Sequence, residues 1–325
     1  MNYIITHHDA DGSCGGAIIY KKLIEVGARP SEIKIVVDDL TKPLDFSYME
    51  GNDNYVYIVD HPYVPELEGR VHSIVWLDHH SESIKAYDKP DIPGIRSVAM
   101  AGCELAWLFA YGSLADQTYV KSRDKFAKQD ATVTAIRKKA PNTVYWVGDN
   151  DSWTKDTGEP GMAFFIGCNS IPNLSEYDSA NYTTGLSSWL ALLDATIGDV
   201  RTNDMLAYGR SVQKYLAVNN ARDLASGMMT GRFKLNHKLK VVALNTNGRG
   251  SGTFTSVKDK FDVGLVFRYN SQGRVTANFY ELRPDLNVNL GELAKKHSAQ
   301  GGGHPGAAGC TVDKLEDIFI VNEGE

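Results

Sequence analysis

The sequence predicts an α/β protein in which a parallel β-sheet carries a functional site at one edge. Three observations predict this class. Apolar runs alternate with helix-like stretches through the first half, three of these runs end in Asp and His residues, and a glycine-rich segment follows a helix near the C-terminus. Continuous apolar strands separated by helices are typical of a parallel sheet that is covered on both faces.

The composition is that of an ordinary folded protein. The chain has 325 residues, of which 42% are hydrophobic and 23% are charged, and this length is enough for one large or two medium domains. No run approaches the roughly 18 apolar residues of a membrane helix. The N-terminus has neither the basic nor the apolar region of a secretory signal. We therefore expect no membrane partner.

The net charge and the cysteines exclude further classes of protein. The 34 Lys and Arg residues against 40 Asp and Glu residues give a formal charge of −6, which argues against a protein that binds long duplex DNA but not against short nucleotides. The cysteines are Cys14, Cys103, Cys168 and Cys310. They are too few and too scattered for a disulfide framework or a structural zinc site. A reducing cytoplasm is the predicted setting.

In the first half, the β-branched and apolar runs predict four strands. These are Tyr3–Thr6, Ile33–Val37, Tyr55–Val59 and Ser73–Leu77. Ser13 is expected to cap a helix that runs to Gly27. Further helices are predicted at Ala101–Tyr111 and around Tyr119–Lys139, and a strand or buried segment is predicted at Val144–Val147.

The second half predicts a smaller α/β unit. Residues 154–184 are rich in Gly, Pro, Asn and Ser, and they are expected to be irregular and exposed, whereas Leu186–Leu193 and Asn203–Leu224 look like amphipathic helices. After Met229 the strand-like runs are LKVVAL, FDVGLVFRY and RVTANFYEL, followed by the helix-like LGELAKKH, a glycine cluster and a last strand around 310–312. The predicted organisation is a catalytic domain at 1–195, a helical linker at 196–228 and a second domain at 229–325.

Three of the predicted strands lead directly into acidic and imidazole side chains. The residues are His7, Asp9, Asp11, Asp60, Asp78, His79 and His80, and a further acidic segment, GDNDSW, begins at 148. In open parallel sheets, ligands bind outside the carboxyl ends of the strands, so we expect these side chains to share one edge. The spacing from His7 to Asp11 would project alternate side chains in one direction if the backbone stays extended, with Gly12 allowing the turn into the helix.

This combination of side chains predicts a metal centre. Five of the nine histidines fall in these segments, and carboxylates with imidazoles but no thiolates suit Mn²⁺, Mg²⁺ or Co²⁺ better than structural zinc. One ion does not need so many ligands. Two ions about 3.5–4 Å apart and bridged by a carboxylate would use them, and would activate a water and neutralise a phosphoryl group.

These segments resemble the motifs of a known family. HHDADG, the lone Asp60 after a strand, Asp78-His79-His80 and the acidic segment near 149 are similar to the four motifs of the DHH superfamily of phosphoesterases. The segment GGGHPGAAG at 301–309 is similar to the signature of the DHH-associated domain, which occurs in RecJ nucleases, the nanoRNase and oligoribonuclease group and cyclic-dinucleotide phosphodiesterases. The resemblance spans roughly residues 2–153 and 230–313. It implies a parallel-sheet DHH domain joined by a helical linker to the smaller domain, with the active site in the cleft between them.

The resemblance also implies roles for individual residues. The implied ligands of two Mn²⁺ ions are His7, Asp9, Asp11, Asp60, His79 and Asp149, with Asp60 bridging. The family's fourth acidic position falls on Asp149 or on Asp151. We favour Asp149 because it directly follows the apolar run, and Asp151 would then orient a ligand.

A second set of residues is implied to contact the substrate. His80 and Asp78 are the predicted catalytic residues. His80 would face the substrate phosphate, and Asp78 is expected to hydrogen-bond backbone or to orient a histidine and not to bind metal. The residues implied at the far side of the substrate are Arg283, Gly301, Gly302, Gly303 and His304. Successive glycine N–H groups can form a concave anion site, and a guanidinium can pair with a phosphate. His8 and His61 are predicted to be solvated or packed neighbours of the site.

The predicted function is a Mn²⁺-dependent phosphodiesterase that hydrolyses short single-stranded oligonucleotides or linear or cyclic dinucleotides to nucleoside 5′-monophosphates. A RecJ-like single-strand exonuclease is an alternative, although RecJ enzymes look longer, and a pyrophosphatase ranks below it because those enzymes lack the GGGH segment. A non-catalytic nucleic-acid-binding scaffold is the alternative from another class, and it would be expected to lose ligands. The sequence leaves open RNA, DNA or a cyclic dinucleotide as substrate, and a monomer or a homodimer as the oligomeric state.

Overall fold

The computed structural model describes residues 1–38, 45–87, 91–121, 130–152, 154, 156–170, 182–246, 250–283, 285, 288–299 and 301–322, without the side chains of 170, 182–184 and 304. The described chain forms two compact units, Met1–Val212 and Gln213–Glu325. The boundary falls inside one long helix, Val200–Gly227, in the region where the sequence predicts a helical linker.

The first unit contains five strands and nine helices among its described residues, the last helix continuing into the second unit. The strands are β1 Asn2–His7, β2 Ile33–Asp38, β3 Gly51–Val59, β4 Val71–Asp78 and β5 Gly94–Arg96. The helices are α1 Ala10–Glu25, α2 Ser81–Ala86, α3 Gly102–Tyr111, α4 Leu114–Lys121, α5 Ala131–Arg137, α6 Asn142–Asp151, α7 Gly158–Ser170, α8 Tyr182–Leu193 and α9 Val200–Gly227. Short 3₁₀ turns connect several of them.

The five strands form one sheet in the order β2-β1-β3-β4-β5, and every adjacent pair is parallel. The predicted parallel sheet is therefore confirmed. Its register aligns Thr6 of β1 with Val59 of β3, and Val59 in turn with Leu77 of β4. The residues that follow these three positions consequently leave the sheet side by side at its carboxyl edge.

Period-two alternation explains why both faces of this sheet are covered. Ile4 of β1 lies in the core formed with α1 and α3, whereas its neighbours Tyr3 and Ile5 lie in a second core on the other face, together with Trp76. Successive side chains of a strand point to opposite faces, so a continuous apolar run can bury residues on both sides. This is the physical basis of the parallel-sheet prediction.

The structure corrects two local predictions at the start of α1. The helix is capped by Asp9 and not by Ser13: the Asp9 side chain accepts a hydrogen bond from the Gly12 N–H, and helical residues begin at Ala10. Asp11 therefore lies in the first helical turn and not on an extended segment. Gly12 does not have a positive φ. It is required because a Cβ there would lie 2.3 Å from the carbonyl oxygen of His7.

Two predictions in the middle of the chain are also corrected. The run Val144–Val147 belongs to helix α6 and not to a strand, with Val144 and Val147 buried in the core. The segment 154–184 contains helix α7, whose Phe164 and Cys168 are buried, so it is not irregular throughout; residues 171–181 lie outside the described residues. The predicted helix around Tyr119–Lys139 falls on α4 and α5, with 122–129 also outside them.

The second unit is built on a seven-stranded sheet covered by helix α10, Leu290–His297. Its strands are β6 Met229–Phe233, β7 Asn236–Asn245, β8 Val263–Tyr269, β9 Val275–Glu281, β10 Gly302–His304, β11 Ala307–Val312 and β12 Phe319–Val321. Their order is β10-β11-β9-β8-β7-β6-β12, and only the pair β7 and β8 is parallel among these described strands. Leu290, Leu293 and Ala294 of α10 pack into the core on one face.

Among the described residues, no helix combines the length and the apolar character that crossing a bilayer requires.

Candidate metal centre

The carboxyl ends of β1, β3 and β4 bring acidic and imidazole side chains together in the first unit. These side chains form three groups, and within each group the potential ligand atoms lie within 4.8 Å of one another. The groups are His7 with Asp9 and Asp60, Asp60 with His79 and His80, and Asp11 with His79 and Asp151. Of the six predicted ligands, five belong to these groups, and the position at the end of α6 is taken by Asp151.

The first group lies at the end of β1. His7 Nδ1 is 2.9 Å from Asp9 Oδ2 and 3.9 Å from Asp60 Oδ2. Asp9 reaches this place because it is the N-cap of α1, with its other oxygen accepting a hydrogen bond from the Gly12 N–H at 2.8 Å. The helix start thus orients one Asp9 oxygen and leaves the other directed at His7.

Asp60 occupies the centre of the site. Its carboxylate is buried, and its Oδ1 atom accepts no hydrogen bond from the described residues, although it lies 3.1 Å from His79 Nε2 and 3.8 Å from His80 Nδ1. Asp60 also has a φ of 52°, a left-handed conformation that Asp tolerates better than most residues. Strained backbone conformations of this kind concentrate at functional sites.

Close packing of helix α3 against the Asp60 side chain restricts its position. A Cβ on Gly102, at the start of α3, would lie 2.4 Å from the Asp60 Cβ. The glycine is therefore needed for α3 to approach this carboxylate. The Asp60 N–H donates to the Leu77 carbonyl oxygen at 2.8 Å, so backbone pairing with β4 holds the same residue from the side.

The second group joins Asp11, His79 and Asp151. Asp11 is held by the first turn of α3, where the Gly102 and Cys103 N–H groups donate to its two oxygens at 2.7 and 2.9 Å. Free N–H groups at a helix N-terminus favour an anion. His79 Nε2 lies 3.8 Å from Asp11 Oδ2 and 3.4 Å from Asp151 Oδ2.

The carboxylate of Asp149 is directed away from this group. Its oxygens accept hydrogen bonds from the Thr154 and Thr157 hydroxyls and from the Asp156 and Thr157 N–H groups. These bonds lower the pKa of Asp149 in spite of its burial. Because α6 is a helix, positions 149 and 151 lie on different faces, and the geometry favours Asp151 as the fourth acidic ligand.

Asp78 and His80 form a pair at the third group, in which His80 lies with Asp60 and His79. The buried Asp78 Oδ1 accepts from the His80 N–H at 3.1 Å and lies 2.8 Å from His80 Nδ1, while the His80 side chain is 38% exposed. The imidazole is thereby oriented with Nδ1 on the carboxylate, and Nε2 is left for a partner outside the cluster. This arrangement agrees with the orienting role expected for Asp78.

The electrostatics of the cluster favour a bound cation. Burial, followed by the neighbouring carboxylates, raises the pKa of Asp60 and of Asp11 well above the ordinary range. Burial opposes ionisation of Asp9 as well, but the hydrogen bond and charge of His7 lower the pKa of Asp9 overall. The same hydrogen bond raises the pKa of His7. Several carboxylates converge here with imidazoles as their close partners.

These residues fit a divalent cation. Ligands about 2.1 Å from an octahedral ion such as Mg²⁺ are separated by about 3 Å, and His79 Nε2 and Asp60 Oδ1 are 3.1 Å apart. The unpartnered Asp60 oxygen would gain a partner, and the charge would offset the desolvation of the buried carboxylates. A donor set of carboxylates and imidazoles suits Mn²⁺, Mg²⁺ or Co²⁺.

The two other histidines of these segments are not in the ligand groups. His8 is exposed. His61 is buried, with Nε2 3.0 Å from Asp38 Oδ2 and Nδ1 2.7 Å from the Pro62 carbonyl oxygen, so it is a packed neighbour and not a solvated one. Asp38, at the end of β2, had no signal in the sequence beyond its position after a β-branched run.

The predicted substrate residues lie in the second unit. Arg283 contacts Asp285 at 2.7 Å and Asp262 at 3.4 Å. Gly302 and Gly303 belong to the edge strand β10. Gly301 directly precedes it, and a Cβ there would lie 2.3 Å from the Ala294 carbonyl oxygen. The glycines here allow close approach to the protein's own backbone, and the side chain of His304 lies outside the described residues.

Two features of the site had no prediction from the sequence. The N–H groups of Gly102 and Cys103 hold Asp11 from a helix that is far away in sequence. Glu104 and Arg137 form a buried ion pair at 2.7 Å next to that helix start. Glu104 stands at the third helical position, as the Glu of a capping box does, but Ala101 at the N-cap has no side-chain acceptor to complete that pattern.

Solved structures share this architecture, whereas no protein-family model and no curated protein sequence matches the chain. A crystal structure of the exonuclease RecJ bound to manganese matches with a TM-score of 0.51 and 17% identity, over 97% of this chain and 86% of that one. A DHH domain described as belonging to a family of ribosomal proteins matches with a TM-score of 0.51 and 13% identity, over 98% and 82%. The chain has the DHH fold.

These two structures confirm, at the level of the fold, the resemblance drawn from the sequence motifs. The DHH fold explains why those motifs meet at one sheet edge. A third structure, with lower similarity, is a pGpG-specific phosphodiesterase from Vibrio cholerae, at a TM-score of 0.49 and 15% identity, over 98% of this chain and 95% of that one.

We predict that Asp60→Asn stabilises the metal-free protein. A carboxyl whose pKa is raised by folding contributes stability at low pH that is lost as the pH rises through the raised pKa. Above the ordinary pKa of Asp, the folded protein must either keep a proton on Asp60 or bear its buried charge, and both lower the free energy of unfolding; Asn removes that cost in a conformation that it also tolerates. Thermal unfolding in chelator should show a higher midpoint than that of the wild type.

In the presence of Mn²⁺, the wild type should have the higher unfolding midpoint and Asp60→Asn the lower. At about 100 times its dissociation constant, a ligand adds about 2.7 kcal/mol to the free energy of unfolding, and the variant should gain much less than the wild type. Asp199→Asn, at an exposed pair with Arg201, is the control that should respond like the wild type. Equal Mn²⁺ stabilisation of Asp60→Asn and wild type would contradict Asp60 as a ligand.

Metal binding is predicted to release protons. The pKa of His7 is raised above its ordinary 6.5 and those of Asp11 and Asp60 are raised as well, so Mn²⁺ must displace protons from these groups. Apparent Mn²⁺ affinity should fall as the pH is lowered. Calorimetry in two buffers of different ionisation enthalpy counts the protons, and His7→Gln should release fewer. An affinity that does not vary between about pH 5 and 8 would exclude His7 as a ligand.

We predict that Asp151→Asn mainly weakens Mn²⁺ binding, whereas Asp149→Asn mainly lowers the free energy of unfolding. Asp151→Asn removes a member of the Asp11–His79 group and should weaken Mn²⁺ binding, with little effect on the metal-free unfolding midpoint. Asp149→Asn disturbs four hydrogen bonds and should lower the free energy of unfolding by about 1–3 kcal/mol, with smaller effects on Mn²⁺ affinity. The reverse pattern in calorimetry and thermal unfolding would return the fourth ligand to Asp149.

Proposed function

We propose that this protein is a divalent-metal-dependent phosphodiesterase that hydrolyses short single-stranded oligonucleotides or linear or cyclic dinucleotides to nucleoside 5′-monophosphates. The observation that carries the proposal is the placement of Asp60. One of its oxygens faces His7 and the other faces His79, so a single carboxylate belongs to two adjacent ligand groups. That is the arrangement expected of a carboxylate bridging two ions.

The ligand groups support two cations. His7, Asp9 and Asp60 would hold one, and a second group would hold the other. That second group, Asp11 with His79 and Asp151, would share Asp60 with the first. Mn²⁺ is the cation proposed, since the donor set contains both imidazole and carboxylate. The RecJ structure of the same fold carries manganese.

Such a pair of ions supplies a water of lowered pKa and positive charge against the phosphoryl oxygens. The residues of the chain do the rest. Asp78 holds His80 by Nδ1, and His80 presents Nε2 to a phosphate oxygen, where a hydrogen bond stabilises charge that develops during displacement. The first turn of α3 orients Asp11 through hydrogen bonds from the Gly102 and Cys103 N–H groups.

Charge supports a short substrate. A protein that follows a long nucleic acid along its backbone needs a basic surplus, and this chain has a formal charge of −6. In the second unit, we propose that Arg283 and the Gly301–Gly303 segment with His304 bind a further phosphate. Arg283 is already paired with Asp285, so a phosphate would replace a carboxylate at the same guanidinium.

The decisive assay compares substrates of different length. Purified protein with Mn²⁺ should cleave a dinucleotide faster than a strand of forty nucleotides, in RNA or DNA form, with mononucleotide as the product. Asp60→Asn should abolish turnover because the shared carboxylate is lost, and Asp199→Asn should not. Product length is measured by chromatography.

Each alternative has its own outcome in this assay. Faster cleavage of the long strand, with successive mononucleotides released, would establish a RecJ-like exonuclease and contradict the preference for short substrates. Absence of turnover for all substrates, with no stabilisation by Mn²⁺, Mg²⁺ or Co²⁺, would replace the enzyme by a nucleic-acid-binding scaffold.

A further inference from the structure

Arg137, the last residue of α5, is fully buried in the first unit. Its Nε donates to Glu104 Oε1 at 2.7 Å, and its two terminal nitrogens donate to the Thr154 hydroxyl at 2.9 Å and the Ser152 hydroxyl at 3.4 Å. Asp149 Oδ1 lies 3.7 Å from the guanidinium. The planar fork of one side chain therefore reaches two different helix ends.

The first of these ends is the start of α3. The second oxygen of Glu104 accepts from the Ala101 N–H at 3.0 Å, which fixes the N-cap of that helix. The next two N–H groups, of Gly102 and Cys103, are the donors that hold Asp11. Arg137 is thus connected to Asp11 through Glu104 and one helical turn.

The second end is the end of α6. Ser152 caps that helix, with its hydroxyl donating to the Gly148 carbonyl oxygen, and Asp151 is the residue before it. The two ends meet closely, because a Cβ on Gly148 would lie 2.4 Å from the Glu104 Cδ. Arg137 is thus connected to Asp151 through Ser152 and the adjoining helical turn.

Stability alone does not explain a buried charge network at this place. A buried ion pair gains little net stability, since the desolvation of both ions offsets their attraction, and apolar side chains of similar volume often serve as well. What the guanidinium adds is direction, because its donors lie in a fixed plane and contact several acceptors at once. The guanidinium contacts Glu104 at the start of α3, the helix that holds Asp11, and Ser152 at the end of α6, the helix that carries Asp151.

We propose that Arg137 is a positioning residue for the metal centre, which sets the separation between Asp11 and Asp151. The inference rests on the proposed function, in that these two carboxylates and His79 hold one of two cations. The first ligand group meets this network only at Asp60, which packs against Gly102 at the start of α3; the described contacts of His7 and Asp9 do not reach it. Loss of the guanidinium should therefore affect the cation held by Asp11 and Asp151 more than the other.

The test is a Mn²⁺ titration of Arg137→Lys, which keeps the positive charge but not the fork. Outer partners of metal ligands typically change affinity about 10–100-fold. We expect a loss of this size for one of two Mn²⁺ ions and a clearly smaller change for the other, measured by calorimetry and by the magnetic coupling between the two ions. With a dinucleotide, kcat should fall at limiting Mn²⁺ and recover at high Mn²⁺, while KM stays at the wild-type value.

Two further variants keep the test decisive. Ser152→Ala removes a single contact of Arg137, leaves the ion pair with Glu104 and should weaken the same Mn²⁺ ion by a smaller factor, so it replaces Arg137→Lys if that variant does not fold. Arg210→Lys, at an exposed pair with Glu159, is the matched control and should bind both ions like the wild type.

The outcomes separate this inference from the proposed function. Wild-type affinity for both ions in Arg137→Lys, or in Ser152→Ala if only that variant folds, would overturn the positioning role and leave the phosphodiesterase intact. Equal weakening of both ions, without recovery of kcat at high Mn²⁺, would reduce Arg137 to a purely structural residue. A wild-type protein that binds none of Mn²⁺, Mg²⁺ and Co²⁺ would overturn the proposed function itself, and the inference with it.

Discussion

The convergence of several carboxylates at the end of three parallel strands is the constraint on which the first unit depends. Asp60 and Asp11 are buried beside other carboxylates, and burial first and the neighbouring charges second raise the pKa of each. A protein gains nothing in stability from such an arrangement in the absence of a cation, because burying unpaired charge is costly. The arrangement is therefore explained by what it can bind, and the surrounding structure has to hold it in place.

The surrounding structure holds it by close backbone approach and by directed hydrogen bonds. Gly102 lets α3 come within reach of Asp60, and Gly148 lets α6 approach Glu104. The first turn of α3 donates two N–H groups to Asp11, while Asp78 orients His80. Each of these side chains is thus held by a neighbouring residue outside the three ligand groups. Metal sites usually keep their ligands oriented in this way.

The second unit presents a different kind of problem. Its glycine segment is pressed against the protein's own backbone, with a Cβ on Gly303 meeting the Ala307 carbonyl oxygen at 2.6 Å and Gly303 itself at a φ of 134°. These glycines are therefore required by the fold before any ligand is considered. Arg283 is likewise occupied by two carboxylates. Close packing of the backbone is therefore sufficient to explain these glycines. If this unit binds an anion, it would use N–H groups and a guanidinium that the fold has already positioned.

The sequence by itself determined the parallel sheet and the residues at its carboxyl edge, because strand runs and their terminal Asp and His residues are local patterns. His7, Asp9, Asp11, Asp60 and His79 could all be named from such patterns. The choice between Asp149 and Asp151 could not, since it depends on α6 being a helix and on which of its faces meets His79. The capping of α1 by Asp9 is a local contact, and Asp is as good an N-cap residue as the expected Ser13, so the sequence did not decide between them. The N–H groups that hold Asp11 and the buried position of Arg137 were decided only by tertiary structure, because both depend on contacts between segments that are distant in sequence.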